Sequence, residues 1–282
     1  MMNYLDNIRP CSSKVESKTF LNNNSDLLDF SVVSSNLSPS RNLSNLFWRH
    51  LDFAKLFPVE KSRIQVLEVG CGSGRYAEIL SKYQKNINYA GFDIRSSESW
   101  SEIMTNYEAQ FFVNEASNVG QFLADTDIVI TQSSLEHILD DLRYFKDLSK
   151  HYEQTKRPLV SINLVPSVAN LLLIPFHGIR QYGKESLSQI SKTVFPASLE
   201  VFQLGGRATT QFHFRELSLN SLLKRAPKVG TDSYREELIA AIRSDCRTKP
   251  RKGRSWWNST FIAFIIKFGV EGNCEFNYEA LV

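Results

Sequence analysis

The chain has 282 residues, 42% hydrophobic and 12% aromatic, which suits one α/β domain with insertions or a domain with a modest appendage. A net charge of +3 gives no ground for a polyanionic partner, and the four cysteines (Cys11, Cys71, Cys246, Cys274) form neither a CxxC pair nor a disulfide framework. The start of the sequence lacks the basic patch and apolar run of a secretory signal. The most apolar stretch, 164–176, is too short and proline-broken to span a bilayer, so the expectation is a cytoplasmic protein without a transmembrane segment.

Residues 1–42 are rich in Ser and Asn and are expected as a partly flexible arm, although 27–33 is apolar enough to dock on a core. The domain is expected over 43–282. In 43–57, Leu43, Leu46, Phe47, Leu51, Ala54 and Phe57 recur near a 3.6-residue period, which predicts an amphipathic helix stopped by Pro58. Strand and helix signals then alternate. Strands are predicted at 63–70, 87–93, 109–114, 126–132 and 158–164, with helices at 75–84, 95–107, 119–125 and 135–151. Such alternation implies a parallel sheet with right-handed crossovers. Beyond it, 194–204 and 208–217 have strand character, 219–226 reads as a helix, and 259–268 is an apolar β run expected to pair antiparallel at the far edge.

The chemistry is carried by VLEVGCGSGR (66–75), where Gly70, Gly72 and Gly74 occupy the turn from the first of these strands into the helix that follows. Glycines belong there because a ligand must approach the backbone and because the turn uses φ values other residues avoid. Nineteen residues beyond Gly74, Asp93 ends the second strand, where a carboxylate can accept from both hydroxyls of a ribose. The spacing is GxGxG, not the dinucleotide pattern GxGxxG, and no GK[ST] follows to make a phosphate loop.

With its acid Glu68, the run resembles motif I of the class I S-adenosylmethionine-dependent methyltransferases, E-x-G-x-G-x-G. GFDIRSS (91–97) resembles that family's second motif, and QSSLEHI (132–138) resembles the strand-four signature of its small-molecule branch. The resemblance covers roughly residues 60–165. It implies a Rossmann-like three-layer α/β sandwich with a mostly parallel seven-stranded sheet and an antiparallel edge strand, and S-adenosylmethionine as cofactor. On the matching positions, the backbone around Gly70, Cys71, Gly72 and Gly74 would face the methionine end, with Glu68 supporting the loop. Asp93 would bind the ribose, with Ile94 beside the adenine. Glu115 and Ala116 would meet the adenine edge, although the family more often has Asp there. Gln132 and Ser133 would line the pocket near the sulfonium.

Blander roles stand beside several of these. Asp93 also suits a helix N-terminus, Glu115 a solvated loop, and Glu136 and His137 the start of a helix. A hydroxyl acceptor profits from a base, for which His137, His177 and His213 are the candidates, His137 being the best constrained. No cluster has metal-ligand spacing. The basic run 243–254 reads first as a solvated connection and second as a contact for a phosphate-bearing substrate or RNA; the adjacent Trp256 and Trp257 read first as packing residues.

These residues predict an O-methyltransferase acting on a small or carrier-linked metabolite, with a sugar as one such glycan-type acceptor. An RNA methyltransferase is disfavoured, because the fourth strand ends in QSSLEH and not in an N/D-P-P-Y run. The remaining alternative is a non-catalytic cofactor-binding partner subunit, since the motif reports binding and not turnover.

Overall fold

The computed structural model describes residues 15–20, 26–57, 61–173, 178–248 and 258–277. The strands are β1 (Lys18–Thr19), β2 (Ile64–Val69), β3 (Ile87–Asp93), β4 (Ala109–Val113), β5 (Ile128–Gln132), β6 (Leu159–Pro166), β7 (Ser198–Leu204) and β8 (Phe261–Phe268). They form one sheet in the order β1-β7-β8-β6-β5-β2-β3-β4. All run parallel except β8, which is antiparallel to both β6 and β7.

The order reverses beside β2, where the chain steps first outward to β3 and β4 and then back to β5. Ligands in open α/β sheets bind in the crevice at such a switch, outside the carboxyl ends of the strands. The helices are α1 (Pro39–His50), α2 (Arg75–Tyr83), α3 (Ser99–Asn106), α4 (Asp141–Thr155), α5 (Lys184–Thr193), α6 (Arg207–His213) and α7 (Asp232–Arg247). One core lies between the sheet and α1, α2 and α7, and a second between the opposite face and α4 and α5, which makes three layers.

The expected antiparallel strand is present, but it lies inside the sheet. All eight residues of β8 are buried. Phe261, Ala263 and Ile265 join one core, while Ile262, Phe264, Ile266 and Phe268 join the other. A strand apolar on both faces must be covered on both, so it inserts between β6 and β7. Its one cation, Lys267, is 2% exposed and neutralised by Glu200 at 2.8 Å. The short β1 adds an eighth strand outside β7.

Other expectations change as well: 119–125, read as a helix, falls on the 3-10 stretch Ala116–Phe122, and the helix read over 135–151 begins only at Asp141, after the 3-10 turn Leu135–His137. The helix read over 43–57 starts earlier, at Pro39 behind the Ser38 cap, and ends at His50; Ala54–Leu56 is a separate 3-10 turn. Leu43, Leu46 and Phe47 are fully buried as the period required, but so is Trp48, and the polar side of the helix from Asn42 to His50 is buried too, while Ala54 is exposed outside it. Each large apolar side chain so buried contributes roughly 1.5–3 kcal/mol.

The segment read as a strand over 208–217 is helical: α6 continues through a π-helical stretch, Phe214–Leu219, into Asn220–Leu222. The cause is remote. The buried Asp245 carboxylate on α7 accepts from Gly206 N and Ala208 N at 2.8 Å, from Thr209 N at 2.9 Å and from Thr209 Oγ1 at 2.6 Å. Those are the orphan donors of a helix N-terminus, satisfied from 36 to 39 residues away. A local reading of ATTQFHFREL has no access to that cap.

Candidate active site

The turn after β2 holds three left-handed glycines, Gly70 (φ +75°), Gly72 (φ +53°) and Gly74 (φ +78°). A Cβ on Gly70 would lie 2.5 Å from Cβ of Ser134, and one on Gly74 would lie 2.6 Å from the Phe111 ring. A Cβ on Gly72 would meet nothing within 4 Å. The outer two are therefore glycine for packing as well as conformation. The middle one presents open backbone to whatever binds there.

Neighbouring strand ends hold this loop. The carbonyl of Phe92 accepts from Gly70 N at 2.8 Å and from Cys71 N at 3.0 Å. Asp93 Oδ2 accepts from Gly72 N at 2.8 Å. From α3, Trp100 Nε1 donates to Gly72 O at 2.9 Å and Ser99 Oγ to Ser73 O at 2.7 Å. Asp93 is half-buried, and one hydrogen bond leaves most of its acceptor capacity free. Ile94 beside it is 65% exposed, a large apolar side chain facing solvent at the mouth of the crevice. On the next strand end, Asn114 N donates to Asp93 O at 2.9 Å, the exposed Glu115 accepts from Ser117 Oγ at 3.3 Å, and Ala116 opens a 3-10 turn.

Beneath the loop, Glu68 is 1% exposed and accepts from the Tyr89 hydroxyl. Burial pushes its carboxyl up to about 8, against the opposing pull of the Tyr89 hydrogen bond. Cys71 is also buried, and burial raises its thiol far above the thiolate range, so it serves packing and contributes no nucleophile.

At the end of β5, Gln132 is buried: Oε1 accepts from Trp48 Nε1 at 2.8 Å and Nε2 donates to Ser44 Oγ at 3.2 Å. The Gln132 amide thus ties α1 to the crevice. Ser133 is exposed in the left-handed region (φ +51°), an uncommon state for a non-glycine residue that clusters at functional sites. Ser134 Oγ donates to Val69 O at 2.7 Å, which closes the gap between β5 and the glycine turn. The 3-10 turn Leu135–His137 follows, with Glu136 buried and His137 exposed.

The structure therefore brings Glu68, Gly70, Cys71, Gly72, Gly74, Asp93, Ile94, Glu115 and Ala116 together along adjoining strand ends, with Gln132, Ser133 and His137 on the other side of the crevice. His213 lies apart on α6. It is 1% exposed, and burial pushes its imidazole down to about 4. His177, Trp256 and Trp257 lie outside the described residues, as does the basic run from 249 onward. Among the described residues no group of three or more His, Cys, Asp or Glu could hold a metal ion.

Sequence reasoning missed Trp100, Ser99, Tyr89 and Trp48. Trp100 carries some signal, as the aromatic residue of a short helix seven positions past Asp93, but spacing does not reveal a donor to Gly72 O.

Residues 45–177 match the family model described as a methyltransferase domain. The match covers just under half of the chain and marks a methyltransferase domain over those residues. Among curated proteins, the chain is 26% identical over 174 residues to a tRNA (guanine-N(7)-)-methyltransferase of Alkaliphilus metalliredigens (strain QYMF), covering 61% of this chain and 71% of that one. Among solved structures it is similar to the plantazolicin methyltransferase BamL in complex with a triazolic desmethylPZN analog and SAH (TM-score 0.48, 15% identity, 82% of this chain and 85% of that one). It is also similar to phospholethanolamine N-methyltransferase 2 of Haemonchus contortus (TM-score 0.47, 13% identity, 81% of this chain and 53% of that one).

S-adenosylmethionine is the cofactor that the motif resemblance at residues 66–75 implies. The residues present fit that cofactor: an open glycine backbone at Gly72, a half-free carboxylate at Asp93 and an exposed apolar side chain at Ile94 lie in one row. No described helix is long and apolar enough to cross a membrane.

Proposed function

We propose that the methyltransferase acts on a hydroxyl oxygen of a small or carrier-linked metabolite, with a sugar as the first acceptor to test. The carrying observation is the rim at the end of β5. There Ser133, exposed and held in the left-handed region, and the exposed His137 flank Ser134, whose Oγ donates to Val69 O beside the glycine turn. This rim carries hydroxyl and imidazole chemistry, suited to an acceptor that hydrogen-bonds and must lose a proton.

Asp93 takes the ribose, Ile94 and Ala116 pack the adenine, and Glu115 meets its amino edge. Glu68 and Cys71 underlie the loop, whose Gly70–Gly74 backbone meets the methionine end, and Gln132 and Ser133 border the sulfonium. The cofactor supplies an electrophilic methyl group whose carrier departs as a neutral thioether. The chain's task is then to align the acceptor oxygen in line, exclude water and accept the hydroxyl proton, for which His137 is the base. The buried, free Cys71 and Cys246 suit a reducing, cytoplasmic setting.

Calorimetry with S-adenosylhomocysteine tests the cofactor assignment. Asp93→Ala removes two charge-assisted ribose contacts and the Gly72 anchor, and is expected to weaken binding by roughly 100-fold or more. Unchanged affinity would overturn the assignment of Asp93. Transfer of labelled methyl to a panel of sugars and nucleotide sugars tests the acceptor, with His137→Gln expected to lower turnover and leave cofactor affinity intact. A guanine N7 acceptor is the second reading, favoured by the Alkaliphilus relative. Labelling of tRNA with none of the sugars would establish it.

A further inference from the structure

The basic run that begins at Arg243 has no part in the site above. Its described portion lines a separate groove of about 770 Å³ between α7 and the turn at Phe30. Phe30 and Ser31 form one wall, Arg235, Arg243, Arg247 and Thr248 the other, and Glu236 is the one carboxylate among the lining residues. Three guanidinium groups against one acid leave the groove a net two positive charges.

The groove is built, not incidental. Arg235 donates from Nε to Val33 O at 2.7 Å and from Nη2 to Phe30 O at 3.0 Å, which fixes the Phe30 turn to α7. Asp29 accepts from Ser31 N at 3.0 Å, and its carboxylate is in turn engaged by Arg49 at 2.9 Å. Arg243 lies 4.9 Å over the Phe30 ring, so its guanidinium face is packed while its N–H edge remains available. Arg247 follows one turn later on the same helix face. Among the described residues neither Arg243 nor Arg247 enters an ion pair, whereas Arg49 and Arg215 both do. The C-terminal turn of a helix favours cations in any case, but that accounts for the charge of Arg247 and not for the walled groove.

Asp245, between the two arginines in sequence, caps α6 just beyond the carboxyl end of β7, so the C-terminal end of α7 stands at the carboxyl end of the sheet.

We propose that this groove binds the diphosphate of a nucleoside-diphosphate carrier and so delivers the acceptor to the methyl donor. The proposal rests on the carrier-linked acceptor reading for its occupant. Planar guanidinium forks match phosphate oxygens, and Ser31 and Thr248 add hydroxyl groups to the walls. The groove falls in the size range of small-ligand sites, and the chain's net charge of +3 is low for an RNA binder.

The test is calorimetric titration of the full chain at low salt with uridine diphosphate, inorganic pyrophosphate and bulk tRNA, each in the presence of S-adenosylhomocysteine. Uridine diphosphate and pyrophosphate are expected to bind at one site. Arg243→Gln/Arg247→Gln should weaken both by about tenfold or more, while S-adenosylhomocysteine affinity, which reports an intact fold, stays within about twofold. The proposal is overturned if neither anion binds, if uridine diphosphate binds without pyrophosphate, if the double variant binds as the parent does, or if tRNA alone binds. Failure of the O-methylation reading would show instead in the labelled-methyl panel, with the anion titration unaffected.

Discussion

The donor half of the crevice, β2 to β5, and the half built from β6 to β8 with α6 and α7 differ in how far along the chain their hydrogen bonds reach. In the donor half most of the groups that fix the loop are close in sequence: Phe92 and Asp93 lie about twenty residues past the glycines, and Ser99 and Trp100 follow directly; the exception is Ser134, which reaches Val69 from 65 residues on. In the other half the fixing groups come from far along the chain. Asp245 caps Gly206, Thr210 Oγ1 donates to Asn258 O at 2.7 Å, and β8 pairs with β6 from a hundred residues away. A local pattern can encode the first arrangement and cannot encode the second.

The largest expected effect probes the second half. Asp245→Ala strips four hydrogen bonds from one buried carboxylate and leaves three helix N-terminal amides unsatisfied. The expected loss is about 3–5 kcal/mol in denaturant unfolding, with Asp245→Asn recovering part of it. Where the variant remains folded, its affinity for S-adenosylhomocysteine should match the parent's. A large drop in that affinity would mean that the two halves are coupled and the comparison fails.

Gly70→Ala is the matching probe of the donor half. The new Cβ would sit 2.5 Å from Cβ of Ser134 at a φ of +75°. Backbone strain and overpacking together should cost about 2–3 kcal/mol, with cofactor affinity falling alongside stability. Ser134→Gly in the same chain would relieve the collision but not the φ, so it should restore only part of the loss.

A smaller effect sharpens what Glu68 contributes. Its folded carboxyl titrates at about 8, while the unfolded chain releases that proton near the ordinary value of 4.5. Between those two values the folded state holds the extra proton, so stability without ligand should fall as pH rises through the window and level off above it. The slope reaches at most about 1.4 kcal/mol per pH unit. Glu68→Gln should remove this slope in thermal unfolding followed across pH. A parent protein with no such slope would mean that Glu68 is ionised in the fold.

The same division explains what the sequence made legible. Gly70, Gly72, Gly74 and Asp93 could be read because glycine at a strand end and an acid one strand later each have a physical reason that depends on few neighbours. The strands from β2 to β6 were readable for the same cause, since alternation and burial are local. The helix at Arg207–His213 was misread because Asp245 supplies its cap, and β8 was expected at the edge because its apolar run does not say which strands it separates. Gln132 shows the limit within the motif itself. Its position was readable, but its hydrogen bonds to Trp48 and Ser44 depend on how α1 crosses the sheet.

Trp100 gives the finest test, because its role lies between the two cases. It follows Asp93 by seven residues, yet acts through one hydrogen bond, Nε1 to Gly72 O at 2.9 Å, while its ring stacks on Phe111 at 5.1 Å. Trp100→Phe keeps most of the ring contact and removes the donor. A neutral hydrogen bond of this kind contributes about 0.5–1.5 kcal/mol, so S-adenosylhomocysteine affinity should fall by roughly two- to tenfold with little change in unfolding temperature. If stability drops and affinity does not, Trp100 is a packing residue of α3, and the Gly72 backbone is positioned from the β3 side alone.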